Sequence, residues 1–363
     1  MLDNYLEELQ SFLQSEIREF NVVVMPDFFI DRLVNLNWNV KTFSEKLKAK
    51  VQRKGGSIDG ISQMEIRGGN AVNTASALAA LGVKVTPIVC TNNLGLQMMK
   101  HYLKKRTVDL SHVKIFKNAS ITTAMELKGN GGKVNVMLRD VGALANFGPQ
   151  NLNDGDFEVI ENADYVCIFN WAGTRRFGTE LAQTVFSHVK KRGRGKTYYD
   201  TADPTPNKRN IPELVRKILQ TGYVDILSVN ENEAICYASQ LSCKAKAPKN
   251  GIGLDDWAVE CAKILAAHIP ARIDLHATSL SATFTKKGET VIPAFNVPVL
   301  RATGAGDAWD AGNILGDAYN LSDGCRLALA NAVAAYYISN PNGEHPTRKH
   351  LIKFCEKLKR KMP

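Results

Sequence analysis

Residues 300–315, LRATGAGDAWDAGNIL, place a run of tiny residues at the start of an apolar helix. Gly304, Ala305 and Gly306 carry little or no side chain, so the free amides of a helix's first turn can point at an anion with the helix dipole behind them. Asp307 then stands where it can meet a reacting hydroxyl. Residues 290–300 carry Val291, Ile292, Val297, Val299 and Leu300 and predict extended structure, which makes the unit a strand, a glycine turn and a helix. It is not a P-loop, since no GK[ST] follows. Taken alone, the motif also fits a glycine turn that merely opens a buried helix, and the surrounding chain has to decide.

The 363 residues are 44% hydrophobic and 23% charged, ordinary for a globular protein with a sizeable core, so one large domain with at most a small appendage is expected. The seven cysteines are odd in number and include no CxxC pair, which points away from a disulfide framework and from a zinc knuckle. A reducing cytoplasm is the expected compartment. Residues 1–20 are acidic and amphipathic rather than signal-like, and no apolar run elsewhere is long enough to span a bilayer, so neither export nor membrane insertion is expected. The net charge of +10 is spread, with clusters at 46–54, 190–196 and 357–361 that read as solvated faces and tails. No DNA- or RNA-binding motif accompanies it, so no nucleic-acid partner is expected, whereas a polyanionic substrate would exploit the same field.

Along the chain, residues 2–20 predict a helix, with Tyr5, Leu6, Leu9, Phe12, Leu13 and Ile17 at helical spacing. The apolar run 22–25 predicts a strand buried on both faces, as in parallel sheets, with Asp27 and Asp31 at its carboxyl end. Open α/β sheets bind ligands outside those ends, which makes these acids candidates for gripping polar substrate groups; a helix cap or loop acid is the plain alternative. A lysine-rich stretch over 35–67 then breaks the alternation and reads as an insertion at the site's edge. Gly68 and Gly69 open a small-residue helix over 70–81, which Gly82 stops before a strand over 83–90. Asn70 and Asn73 lie a turn apart, so both amides can be offered near the helix start, with capping and packing as alternatives. Residues 121–127 and 133–138, joined around 129–132, predict a hairpin that forms a lid with the insertion.

The second half alternates cleanly: strand 165–170, helix 179–191, strand 197–200, helix 211–220, strand 224–229. Such repetition predicts a mostly parallel sheet covered by helices on both sides. Asp200 and Asp203 close one strand, and Asn230, Glu231 and Glu233 close another. Carboxylates gathered there suit Mg²⁺ when water and phosphate supply the remaining ligands.

Two motifs give these segments a family resemblance. GGNAVNTASALAALG at 68–82 resembles the first signature of the PfkB or ribokinase-like carbohydrate kinases, and RATGAGDAW at 301–309 resembles the second, usually DTTGAGDAF. Asn230 and Glu233 match the family's NxxE motif, and the resemblance spans residues 22–352 in the right order. It implies a Rossmann-type α/β sandwich with a small β lid, in which residues 22–363 form the kinase domain, segments of about 35–67 and 112–138 form the lid, and residues 1–21 are a helical extension.

The resemblance further implies an ATP-dependent kinase that moves the γ-phosphoryl group to a hydroxyl of a sugar or sugar derivative. Asp307 would be the base and the amides of residues 304–307 the anion hole. Asp31, Gly68, Gly69, Asn70 and Asn73 would bind substrate; Thr303, Gly304, Gly306, Asn331 and Gly343 would meet the nucleotide; Asn230 and Glu233 would organise Mg²⁺ through water. A nucleoside kinase, for which Phe28, Phe29 and Trp38 could supply an aromatic platform, and a non-catalytic sugar or nucleotide sensor are the alternatives. Exposed lid strands invite pairing, so a homodimer is also expected. Arg301 departs from the signature, whose acid helps hold a monovalent cation, often K⁺. A guanidinium cannot ligand a cation, so no K⁺ requirement is expected.

Overall fold

The computed structural model describes residues 2–16, 18–103, 107–129, 132–245 and 251–359. In chain order the strands are β1 (Asn21–Met25), β2 (Phe29–Asn39), β3 (Ser62–Gly68), β4 (Lys84–Pro87), β5 (Cys90–Thr91), β6 (Lys114–Ile115), β7 (Ser120–Gly129), β8 (Gly132–Asp140), β9 (Tyr165–Phe169), β10 (Lys196–Asp200), β11 (Ile226–Val229), β12 (Arg272–His276), β13 (Leu280–Thr285) and β14 (Gly288–Pro293). The main sheet has the order β14-β13-β12-β11-β10-β9-β1-β4, parallel from β12 to β4 and antiparallel across β12, β13 and β14.

The unbroken apolar run in β1 has a simple cause: both faces of the sheet are covered. Val22 and Val24 point into a core shared with helices Asn70–Ala80, Ala305–Ala318 and Asp323–Ser339, while Val23 and Met25 point into another shared with Gly178–Arg192, Glu231–Leu241 and Leu254–His268. The fold is therefore the α/β sandwich expected, with the parallel strands' carboxyl ends opening on one side.

A smaller sheet of order β3-β2-β7-β8 stands over that side as the lid. It differs from the expected segments at both ends. β2 starts at Phe29, so Asp31 belongs to a lid strand rather than to the end of β1. Residues 114–115 belong instead to the body, where β6 pairs with β5. The 121–138 hairpin pairs from Ile121 opposite Asp140 to Gly129 opposite Gly132, its turn at 130–131 lying outside the described residues.

Three other segments depart from expectation. The extended stretch 290–300 is a strand only to Pro293; beyond it Val297, Val299 and Leu300 line the mouth of a cleft, and the Leu300 amide bonds the Ile338 carbonyl at 2.9 Å. The 83–90 strand splits into β4 and β5 at Pro87, which has no amide to continue a ladder. The N-terminal helix runs Leu2–Gln14 rather than to residue 20, because the Ser15 hydroxyl turns back to donate to the Phe12 carbonyl at 2.7 Å. Ile17 and the last two positions of the 357–361 basic cluster lie outside the described residues. Leu6 and Leu9 are nevertheless fully buried in the core of the body.

Candidate active site

Helix Ala305–Ala318 begins on Gly304, whose φ of 86° places it in the left-handed region that a side chain resists. The amides of its first turn have no carbonyl four residues earlier within the helix to bond. The Ala305 amide bends back to the Ala302 carbonyl at 3.2 Å, leaving the Gly306 and Asp307 amides as the donors of that turn. A Cβ on Gly306 would crowd the His276 ring at 3.2 Å, so the residue must stay small.

Asp307 faces a second helix start. The Asn70 Nδ2 group donates to its Oδ1 at 2.8 Å and the Asn73 Nδ2 group to its Oδ2 at 2.9 Å. Spacing of three residues puts both amides on one face of helix Asn70–Ala80, which is how the first signature reaches the second across the body. Burial raises the Asp307 carboxyl to about 7, opposed by the Asn73 bond and reinforced by Asp200 and Asp27. An acid titrating there is suited to accept a proton near neutrality.

Asp27 holds that second helix in place. Its carboxylate accepts the Asn70 and Ala71 amides at 2.9 Å each and the Asn170 side-chain amide at 2.8 Å, capping the helix from another element. Gly69, at φ 93°, allows this approach, since a Cβ would meet the Phe28 Cα at 2.9 Å. Asp31 packs against Gly68, where no side chain would fit. Its Oδ1 is buried without a hydrogen-bond partner, and burial lifts the carboxyl to about 6. A buried acceptor left unpaired on a cleft wall is suited to receive a ligand hydroxyl.

These residues line a cleft of about 1260 Å³ between body and lid. Asp31, Gly69, Asn70, Asn73, Asn230, Glu233, Thr303, Gly304, Ala305, Gly306, Asp307 and Asn331 all reach its wall. Gly68 does not, being spent on the Asp31 contact, and neither does Gly343, which lies at φ 65° under the Arg301 guanidinium. Asn331 is on the wall but consumed: its Oδ1 accepts from Ser281 and Trp309, and its Nδ2 donates to the Pro293 carbonyl. Asn230 and Glu233 form a reciprocal cap on helix Glu231–Leu241, with Glu233 accepting from both the backbone and side-chain amides of Asn230 at 3.0 and 2.8 Å. Burial, with Asp200 nearby, pushes the Glu233 carboxyl well above its usual range.

Several wall residues escape the sequence reading. Arg67 and Arg139 bring guanidinium groups to the cleft, the latter over the Phe29 ring at 5.1 Å. Asn170 ends β9 and could have been found by the strand-end rule that selected Asp200. His276 carries no signal beyond its place at the end of β12.

No helix among the described residues is long and apolar enough to cross a membrane. The ribokinase of Haemophilus influenzae is 22% identical over 310 residues, 84% of this chain and 92% of that protein. Among solved structures, Arabidopsis thaliana ribokinase complexed with ribose and ATP superposes with a TM-score of 0.68 at 19% identity, covering 93% of this chain and 99% of the other. A nucleoside kinase of Methanocaldococcus jannaschii, described as an archaeal member of the ribokinase family, gives 0.65 at 16% identity over 94% and 100%. Residues 43–349 match the pfkB family carbohydrate kinase, most of the chain and both signatures included, and the protein accordingly belongs to the pfkB family of carbohydrate kinases.

Proposed function

We propose that this protein is an ATP-dependent kinase that phosphorylates a hydroxyl of a sugar or sugar derivative, with Asp307 as the base. The observation that carries this is the pairing of Asp307, oriented by Asn70 and Asn73, with the small-residue helix start at Gly304–Gly306 on one cleft wall. Asp31 with its unpaired oxygen, Asn70 and Asn73 present hydrogen-bonding groups to a polyhydroxylated ligand, Gly68 leaves room for the Asp31 carboxylate, Gly69 keeps the backbone beside them accessible, and Asp307 accepts the proton of the hydroxyl held in line. The Gly306 and Asp307 amides supply fixed positive dipoles where charge develops, and positioning plus such dipoles is most of what phosphoryl transfer asks of a protein.

The nucleotide is assigned to the other half of the cleft, beside Thr303, Gly304, Gly306 and Asn331; Gly343 contributes only by seating Arg301. Mg²⁺, when bound with the nucleotide, neutralises its phosphates. Both Glu233 oxygens are engaged with Asn230, which fits contact through water rather than direct ligation. Arg301 donates to the Pro341 carbonyl at 3.0 Å and sits 5.9 Å from the Tyr337 ring, so its charge lies on the loop beside the anion hole. That favours a protein-borne cation over K⁺. Seven free cysteines favour a reducing, cytoplasmic setting, and the exposed outer face of the lid favours a homodimer.

A sugar is preferred to a nucleoside because two of the three candidate platform rings are otherwise used. Phe28 is in the body core and Trp38 packs within the lid beneath Lys46; Phe29 lines the cleft but is covered by Arg139. A pure sensor would have no use for a buried acid aimed at a helix start. The test is ADP formation across pentoses, hexoses, sugar acids and nucleosides. Release that depends on one sugar or sugar acid is expected; release with nucleosides alone reverses the substrate preference, and none with any acceptor removes the kinase reading.

A further inference from the structure

Behind the anion hole lies a second set of converging donor atoms that the phosphoryl-transfer reading leaves unused. One ligand atom each from Asp200, His276 and Asp310 lie within 4.8 Å of one another, with Asp200 Oδ2 3.9 Å from His276 Nε2. They come from the ends of β10 and β12 and from helix Ala305–Ala318, one turn beyond Asp307.

Each group has one side fixed by the fold. Asp200 Oδ1 accepts the Ala202 amide at 2.9 Å. Asp310 Oδ1 accepts the Tyr198 and Ser228 hydroxyls at 2.6 and 2.7 Å, and the His276 ring lies 5.1 Å from that of Trp309. Asp310 Oδ2 and His276 Nε2, in contrast, are buried without a hydrogen-bond partner, and the Asp310 side chain is entirely shielded from solvent. Unpaired buried polar atoms are costly, and two carboxylates this close in a site removed from water repel unless something positive lies between them. In the metal-free site burial and Asp200 hold the Asp310 carboxyl well above its usual range, so that the two acids share a proton, which relieves the repulsion yet leaves Nε2 with nothing. A cation satisfies all three donors together. Burial holds His276 below its usual range, in the neutral form whose nitrogen lone pair binds metals.

We propose that Asp200, His276 and Asp310 form a divalent-cation site of mixed nitrogen and oxygen donors that takes Mn²⁺, Co²⁺ or Zn²⁺ in preference to Mg²⁺ and binds without nucleotide. Imidazole favours the transition ions, whereas Mg²⁺ prefers oxygen and keeps its water. Metal–ligand bonds of about 2.0–2.2 Å set donor atoms about 3–4 Å apart, so small side-chain rotations complete the shell. Tyr198 and Ser228 orient the Asp310 ligand from behind. Asp200 and His276 border the cleft while Asp310 lies behind its wall, so the remaining coordination positions face the cleft and take water or a phosphate oxygen. The donor set shares no residue with Asn230 and Glu233, and the site's existence does not rest on the kinase reading.

The test uses chelator-treated full-length protein, free of nucleotide, titrated with Mn²⁺ followed by electron paramagnetic resonance and with Co²⁺ followed by its visible bands. One equivalent is expected to bind, at least tenfold tighter than Mg²⁺ measured by competition, with Co²⁺ bands that carry a nitrogen ligand. His276→Gln and Asp310→Asn are each expected to weaken it by tenfold or more, while Asp31→Asn binds as the parent does. His276 borders the cleft, so His276→Gln carries the test if Asp310→Asn fails to give the parent's circular dichroism. No binding of Mn²⁺, Co²⁺ or Zn²⁺ up to millimolar concentration would overturn the proposal and leave a shared proton between the acids. Binding undiminished in His276→Gln would overturn the assigned ligands.

Discussion

At the scale of single residues, the proposed chemistry turns on Asp307, a carboxylate that burial raises and the Asn70 and Asn73 amides steady. Asp307→Asn keeps the side chain's size but cannot take a proton, so kcat is expected to fall by about 10²-fold or more with KM for both substrates little changed, the usual scale for a general base. A base acts in its deprotonated form, so if Asp307 has the proposed role, with the group at about 7, kcat/KM is expected to rise with pH through that value and level off above it. A pH-independent rate from 5.5 to 8.5, or full turnover by the variant, would remove Asp307 from its role. Asp31 gives a linked stability prediction. Its carboxyl is raised from 3.8 to about 6, so folding favours the protonated form, and the cost in stability builds as the pH rises from 3.8 and is complete above about 6. Asp31→Asn should therefore stabilise the ligand-free protein above pH 6 by on the order of 2 kcal/mol, with the gain vanishing as the pH falls toward 3.8. It should raise the sugar KM at the same time. Urea denaturation at pH 5 and pH 8 measures the first effect, and equal gains at both would contradict the burial account.

At the scale of elements, the two signatures were legible because each begins a helix with residues too small for any other purpose. What they do for each other was not. Asn70 and Asn73 meet Asp307 across more than two hundred positions of chain, and no local pattern carries a contact of that range. Asp31 was legible as a candidate acid but placed on the wrong element, because the run ending at Met25 and the strand beginning at Phe29 are separated by only three residues. Asn230 and Glu233 read as metal-organising groups, and their geometry is first of all a helix cap, a use that the same spacing predicts equally well. Gly343, which the resemblance makes a nucleotide contact, packs against Arg301, whose guanidinium fills the space a side chain at Gly343 would need. With that charge fixed on the Pro341 carbonyl, a monovalent cation beside it would, on the proposed reading, meet repulsion rather than a ligand. Rates in potassium and in tetramethylammonium salts at equal ionic strength are expected to agree within about twofold, the ionic strength being held because it screens both alike. Severalfold stimulation specific to K⁺ would mean that Arg301 has not replaced the ion.

At the scale of the whole molecule, the sandwich follows from sequence because its strands are apolar on both faces, whereas the lid's extent does not. Lid strands are partly exposed and only partly apolar, and the lysine-rich segment between β2 and β3 is a helix, so their periodicity is weak and their boundaries shifted by several residues. In β8 the alternation is nonetheless complete: Asn135, Met137 and Arg139 line the cleft, while Val134, Val136 and Leu138 point outward and stay 50, 41 and 57% exposed. The inner face predicts closure. Substrate with a non-hydrolysable nucleotide should slow amide exchange across β2, β3, β7 and β8, of which β3 and β8 have an unpaired edge. Equal exchange with and without ligands would make the lid a fixed wall. The outer face predicts a partner of the same kind, since Ile121 on the adjoining β7 extends it, also 42% exposed, and β8 is one of the sheet's two edge strands. A second copy pairing there would cover both the apolar stripe and the unpaired backbone in one contact. Light scattering on the full-length chain is expected to give a dimer, and Val136→Lys with Leu138→Lys to give a folded monomer, because two buried like charges per copy would oppose a two-fold interface. A parent protein that scatters as a monomer at tens of micromolar would refute the pairing, and a lysine variant that stays dimeric would move the interface elsewhere.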